Sequence, residues 1–144
     1  MASSDDRVQT WLIDLSSATC ADLLEASDLG RVGTIVDGRP QIFPVNHVYD
    51  RTSGRIVFPT QAGTRLHAAL EWPWIAFEID GMDPDGAGGW SVVVVGQGEP
   101  LTDEATIARA RRARRVLWAA GPGTEWAQIV PVKVTGRRIS AVVR

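Results

Sequence analysis

The segment best equipped for anion chemistry is Phe58-Pro59-Thr60-Gln61-Ala62-Gly63-Thr64-Arg65. It brings glycine, two threonine hydroxyls and an arginine to the expected start of a short helix, with Thr64 as its cap. Unpaired backbone N–H groups and the helix dipole favour an anion there, and the Arg65 guanidinium adds a forked donor suited to phosphate. An ordinary capped helix with a solvated arginine has the same composition, so the residues alone leave both readings open. A second candidate is Pro44-Val45-Asn46-His47. Proline cannot donate to a sheet ladder, so Pro44 marks an edge, a bulge or an opening where a planar ligand could meet free backbone, with Asn46 as donor and acceptor. A bulged edge strand with Asn46 bonded to a nearby loop is the competing reading.

Other reactive side chains are less promising. His47 and His67 have no spacing that suits a metal, and the lone Cys20 reads as a small buried side chain. Asp80, Asp83 and Asp85 fall in a glycine-rich stretch where acids form turns. There is no Gly-x-Ser-x-Gly elbow, and no residue is required as an acid or base, so none is assigned as catalytic and no metal is expected. Arg109, Arg111, Arg112, Arg114 and Arg115 crowd one predicted helix, as a solvated face or as contacts to a ligand or partner.

The 144 residues, 44% hydrophobic with a net charge of −2, suit one globular domain and supply no global attraction to nucleic acid. No apolar run is long enough to span a membrane, and the opening Met1-Ala2-Ser3-Ser4-Asp5-Asp6 lacks the order of a secretion signal, so a cytoplasmic location is expected.

Closely spaced β-branched runs must position these residues. Residues 1–10 are expected to be frayed, with one domain over 11–144. The span 11–29 suggests a short helix with Ser16 or Ser17 as cap and Gly30 as stop. Strands follow at 32–36 and 41–48 across Asp37-Gly38, a strong hairpin signal, and then at 55–58. Further strands are expected at 74–79 and 90–98, separated by a loop over 80–89, and the valines at 92–95 suggest burial on both faces. A helix opening at Thr102-Asp103-Glu104 precedes final strands over 127–134 and 138–143, with a turn at Thr135-Gly136-Arg137. The fold class is therefore mainly β (α+β), a six- to seven-stranded antiparallel barrel with short flanking helices.

Taken in order, Gly30-Arg31-Val32-Gly33, Pro44-Val45-Asn46-His47, Phe58-Pro59-Thr60 with Gly63-Thr64-Arg65-Leu66, Ala76-Phe77-Glu78-Ile79-Asp80, Gly89-Trp90-Ser91-Val92 and Val134-Thr135-Gly136-Arg137-Arg138-Ile139 resemble the pyridoxamine 5′-phosphate oxidase-like family, the FMN-binding split barrels. The resemblance spans about residues 15–140 and is closest to small actinobacterial-type members. It implies a homodimer with FMN at the subunit interface and an oxidoreductase acting on a small molecule. By the same resemblance, Pro44, Val45 and Asn46 line the isoalloxazine, Phe58, Pro59 and Thr60 continue that wall, and Thr64 and Arg65 hold the phosphate. Trp90 and Ser91 match a stretch near the phosphate, and Trp118 an aromatic position presented by the partner. Relatives commonly carry arginine where this chain has Pro59, which removes one cationic phosphate contact. Three alternatives follow: a deazaflavin coenzyme on the same fold, a non-catalytic binder of flavin or haem, and a ligand-free dimeric scaffold in which Pro59 has disabled the cleft.

Overall fold

In a computed structural model of the chain, residues 8–64, 66, 74–113, 117 and 121–143 are described. Their elements are β1 (Val8–Asp14), α1 (Ser17–Ala26), β2 (Leu29–Val36), β3 (Arg39–Asn46), β4 (Val48–Asp50), β5 (Arg55–Gln61), β6 (Trp74–Met82), β7 (Gly88–Pro100), α2 (Glu104–Ala113) and β8 (Thr124–Val143). All pairings are antiparallel, in the order β3-β2-β6-β7-β8-β5-β4, with β1 added along β8. The eight-stranded sheet curls without closing, and β3 runs up to β5 without joining its ladder. This is the expected split barrel, with more strand than the sequence suggested.

Local chemistry explains most boundaries. Ser16 caps α1, its hydroxyl accepting from the Thr19 N–H at 3.1 Å, and the Ser27 N–H closes the helix on the Leu23 carbonyl. The β2–β3 connection is the predicted two-residue hairpin, with Asp37 at φ 52° and Gly38 at φ 73°, the pair of positive values that lets twisted strands meet. Asp103 caps α2 by accepting from the Thr106 N–H at 3.0 Å.

Several expectations are corrected. Strand β1 starts at Val8, inside the stretch expected to be frayed, because β8 is long enough to pair Val8 with Val143 and Asp14 with Arg137. Leu29 and Gly30 belong to β2 instead of ending a helix. The loop expected over 80–89 is mostly strand, since β6 runs to Met82 and β7 starts at Gly88. The turn expected at Thr135-Gly136-Arg137 lies within continuous β8. A Cβ on Gly136 would fall 2.5 Å from the Cys20 sulfur, so this glycine admits α1 onto the sheet and makes no reversal. The valines are not buried on both faces: Val92 and Val94 are fully buried, whereas Val93 is half-buried and Val95 is 39% exposed.

Two apolar clusters lie on opposite faces of the sheet. Inside the barrel, Val32, Val45, Ile56, Phe58, Ile75, Phe77, Ile79, Val92, Val94, Ala127 and Ile129 pack together, and Cys20 and Leu24 of α1 cover them. The alternate residues of β5 and β8 point outward, where Val57 and Trp126 join Val48, Leu101 and Ala110 beneath α2. The outer face of β3, β2, β6 and β7 has no helix over it among the described residues. There the register aligns Ile42, Gly33, Ala76, Val95 and Lys133 in one row.

Candidate functional site

Strand alternation divides the candidate residues into two sets. Val45, Phe58 and Thr60 point into the barrel, exposed by 4%, 0% and 2%. The Thr60 hydroxyl donates to the Glu125 carbonyl, and Trp90 packs on the same core. Only backbone or a small fraction of these side chains is available to a ligand. Pro44, Asn46, Pro59 and Ser91 occupy the alternate, outer-face positions, where Pro44 is exposed, Asn46 and Ser91 are half-buried and Pro59 is buried beside its partner Trp126.

Asn46 sits at the end of β3, where its side-chain amide donates to the Asp28 carbonyl at 2.7 Å. The loop-bonded reading of Asn46 is therefore the one observed for that group. Next to it, the backbone of His47 also bonds Asp28, and its ring is fully buried, with Nε2 3.2 Å from the Leu24 carbonyl and its edge against Phe77. His47 is a core histidine.

At the end of β5 the chain reverses through a tight turn. Gly63 adopts φ 81°, and both the N–H and the hydroxyl of Thr64 donate to the Gln61 carbonyl, at 3.2 and 2.7 Å. Thr64 and Gly63 are exposed, so the turn presents polar groups beside Pro59. Arg65, His67, Trp118, Arg114 and Arg115 lie outside the described residues.

Trp90 and Ser91 occupy a different place in the fold. With Gly81, Met82, Gly88, Gly89, Arg137 and Ile139 they line an open cavity of about 380 Å³ at the β6–β7 turn. Ser91 pairs with Asp80, Leu29 lies level with Asp80 across β2, and Leu29 pairs with Asn46. Three strand spacings therefore separate Ser91 from Asn46, roughly 14 Å. The chain brings the Pro44–Asn46 and Pro59–Thr64 segments to the seam between β3 and β5 and leaves Ser91 across the sheet.

Three constellations were not singled out from the sequence. On the outer face, Arg31 reaches Glu78 at 3.5 Å and Asp80 at 3.3 Å. Desolvation, then the neighbouring Asp80, raises the Glu78 carboxyl above its ordinary value against the pull of Arg31. Arg109 clamps Asp50, holding that carboxyl below its usual range. Arg111, also on α2, lies over the Trp126 ring, 5.6 Å from its centroid. Alternate-residue periodicity hints at the first, but the partners in the other two come from distant elements that only the folded chain brings together. Among the described residues no group of three or more His, Cys, Asp or Glu side chains is placed to hold a metal, and no helix is long and apolar enough to cross a membrane.

An open antiparallel split barrel, with a seam between β3 and β5 that ends in a polar turn, defines the class. Residues 16–142 match the family model described as pyridoxamine 5′-phosphate oxidase, and the chain belongs to that family. An uncharacterized protein of Mycobacterium tuberculosis is 31% identical over 135 residues, covering 90% of this chain and 87% of the relative. Among solved structures, the FAD binding protein from Mycobacterium smegmatis is 38% identical with a TM-score of 0.74, covering 88% of this chain and 98% of that one. An FAD-binding protein from Mesorhizobium loti shares the fold at a TM-score of 0.78 and 24% identity, covering 92% and 99% of the two chains.

Proposed function

We propose that this chain is a flavin-dependent oxidoreductase that acts on a small molecule, with FMN at the interface of two copies. The observation that carries this reading is the seam between β3 and β5, where the exposed Pro44 and half-buried Asn46 of β3 come up to β5, whose buried Pro59 leads into the exposed Gly63–Thr64 turn. Flat, uncharged side chains and a strand edge suit the ring, while hydroxyl and N–H donors suit the phosphate end. When bound, the flavin supplies the redox chemistry; the chain orients it, keeps water from one face and fixes its phosphate.

The second copy is supported by the apolar outer face. Ile42 is 71% exposed and Trp74 55%, and with Ile35, Pro40, Ala76 and Val95 they line a shallow depression of about 330 Å³. Such a face seated on its own copy can exceed the roughly 1,000 Å² that a stable interface needs. It would also bring residues of one protomer, such as Trp90 and Ser91, toward the seam of the other.

A second reading, FAD in place of FMN, is favoured by the 38% identity to the FAD binding protein from Mycobacterium smegmatis. The deciding experiment is the visible spectrum of the purified protein after incubation with FMN, FAD or deazaflavin and removal of free ligand on a sizing column, with chromatography of what heat releases. Retention of FMN at about one per chain with a flavin spectrum is the expected result. Retention of FAD or deazaflavin instead changes the cofactor, and retention of none removes the flavin reading. Reduction of bound flavin by a nicotinamide donor, followed by reoxidation on a small-molecule acceptor, separates an oxidoreductase from a binding protein.

A further inference from the structure

The outward face of β5 and β8 carries a positioned cation. Arg111 stands in the last turn of α2 and projects over Trp126, whose indole is 8% exposed. Arg31, Arg51, Arg55, Arg109 and Arg138 are paired with acids, whereas among the described residues Arg39, Arg112 and Arg137, like Arg111, are paired with none, and of these four Arg111 is the one held over a ring. No carboxylate among the described residues is paired with Arg111. An arginine whose flat face rests on a ring keeps its N–H edge available, which is the geometry used to meet phosphate oxygens.

Trp126 is the register partner of Pro59, and Thr124, two residues before it, is the partner of Gln61. Pro59 has neither charge nor N–H to give to this face. Gln61 accepts the two Thr64 hydrogen bonds of the turn. Two residues along a strand are about 6.6 Å, so the ring that carries Arg111 and the Gln61 end of the turn lie on the same side of the sheet, one alternate position apart. The Trp126 Nε1 is itself buried and has no acceptor, so a donor without a partner lies in the ring beneath Arg111.

We infer that Arg111, held by Trp126, is the cation that binds the phosphate end of the cofactor, facing the Gln61–Thr64 turn. This rests on the flavin reading above and deepens it. Arg111 takes the part that Pro59 cannot play, and it comes from a helix instead of a barrel strand. Arg109 is tied to Asp50 and serves a different purpose, anchoring α2 so that Arg111 is presented at a fixed place.

Riboflavin, which has the ring but no phosphate, separates binding from structure. Dissociation constants for FMN and riboflavin are measured by flavin fluorescence titration of the unmodified full-length chain, Arg111→Ala and Arg111→Lys, with circular dichroism of each. In Arg111→Ala, FMN affinity should fall about 10- to 100-fold, the scale of one charge-assisted contact, while riboflavin affinity holds. Arg111→Lys should recover part of the loss, since it keeps charge without the fork. Equal losses for both ligands, or unchanged FMN affinity in Arg111→Ala while the unmodified chain binds FMN, overturn the inference and leave the flavin reading standing. Failure of the unmodified chain to bind either ligand overturns both.

Discussion

The Arg109 guanidinium meets both carboxylate oxygens of Asp50, at 3.0 and 3.1 Å, and thereby joins α2 to β4. Asp50 is 5% exposed and also accepts from the N–H and hydroxyl of Ser53. Removing the arginine leaves a buried carboxylate with half its donors. Arg109→Met should lower Tm by roughly 5–10 °C, and Asp50→Asn in the same background should recover part of the loss, as read by thermal unfolding.

Stability should depend on pH with two opposed contributions. Arg109 lowers the Asp50 carboxyl, and the Thr106 hydroxyl and N–H lower Asp103. Both therefore stabilise the fold fully above the ordinary carboxylate range and lose that contribution as pH falls through their lowered folded values. Glu78, raised first by desolvation and then by Asp80, acts the other way. Its contribution is complete below the ordinary glutamate value and drains as pH rises through the raised folded one. Denaturant midpoints taken from about pH 3 to 8 should show a shallower acid decline in Asp50→Asn and a smaller loss above the glutamate range in Glu78→Gln. Curves that superpose on the parent's would count against both assignments.

Gly30 tests the core. A Cβ placed there would fall 2.2 Å from the edge of the Phe77 ring, which is fully buried and cannot swing away. Gly30→Ala should cost about 1–3 kcal/mol by overpacking, measured by urea unfolding. Gly33, whose nearest neighbour would be 3.8 Å from an added Cβ, should tolerate alanine with a much smaller change.

The outer face makes a prediction about assembly. Ile42→Arg puts a charge at the β3 end of the apolar row formed with Gly33, Ala76 and Val95, at the most exposed of its side chains. If two copies meet there, sedimentation should show the parent as a dimer and the variant as a monomer that still folds. Retained flavin should fall with the dimer, because the proposed site is shared. A variant that remains dimeric would place the interface elsewhere.

Much of the architecture is written in local residue chemistry. Asp37-Gly38 specifies its hairpin because both positions tolerate positive φ, and Ser16 and Asp103 announce helix starts because their oxygens satisfy otherwise unpaired N–H groups. The ordered segments from Gly30 to Ile139 also point to the family that the whole-chain match establishes. Where the sequence misled, the missing information was a distant partner. Gly136 reads as a turn until Cys20 is seen against it, and residues 8–10 read as frayed until the far end of β8 pairs with them.

The sequence by itself determined the mainly β fold, the Asp37-Gly38 hairpin and the helix starts near Ser16 and Asp103, because each depends on neighbours a few residues apart. Only the tertiary structure decided which residues of Pro44–Asn46 and Phe58–Thr60 turn outward, that Asp50 receives Arg109, and that Arg111 rests on Trp126. Strand register sets the face of every residue, and a shift of one position would exchange core for surface. That register is fixed by pairing between segments far apart in the chain.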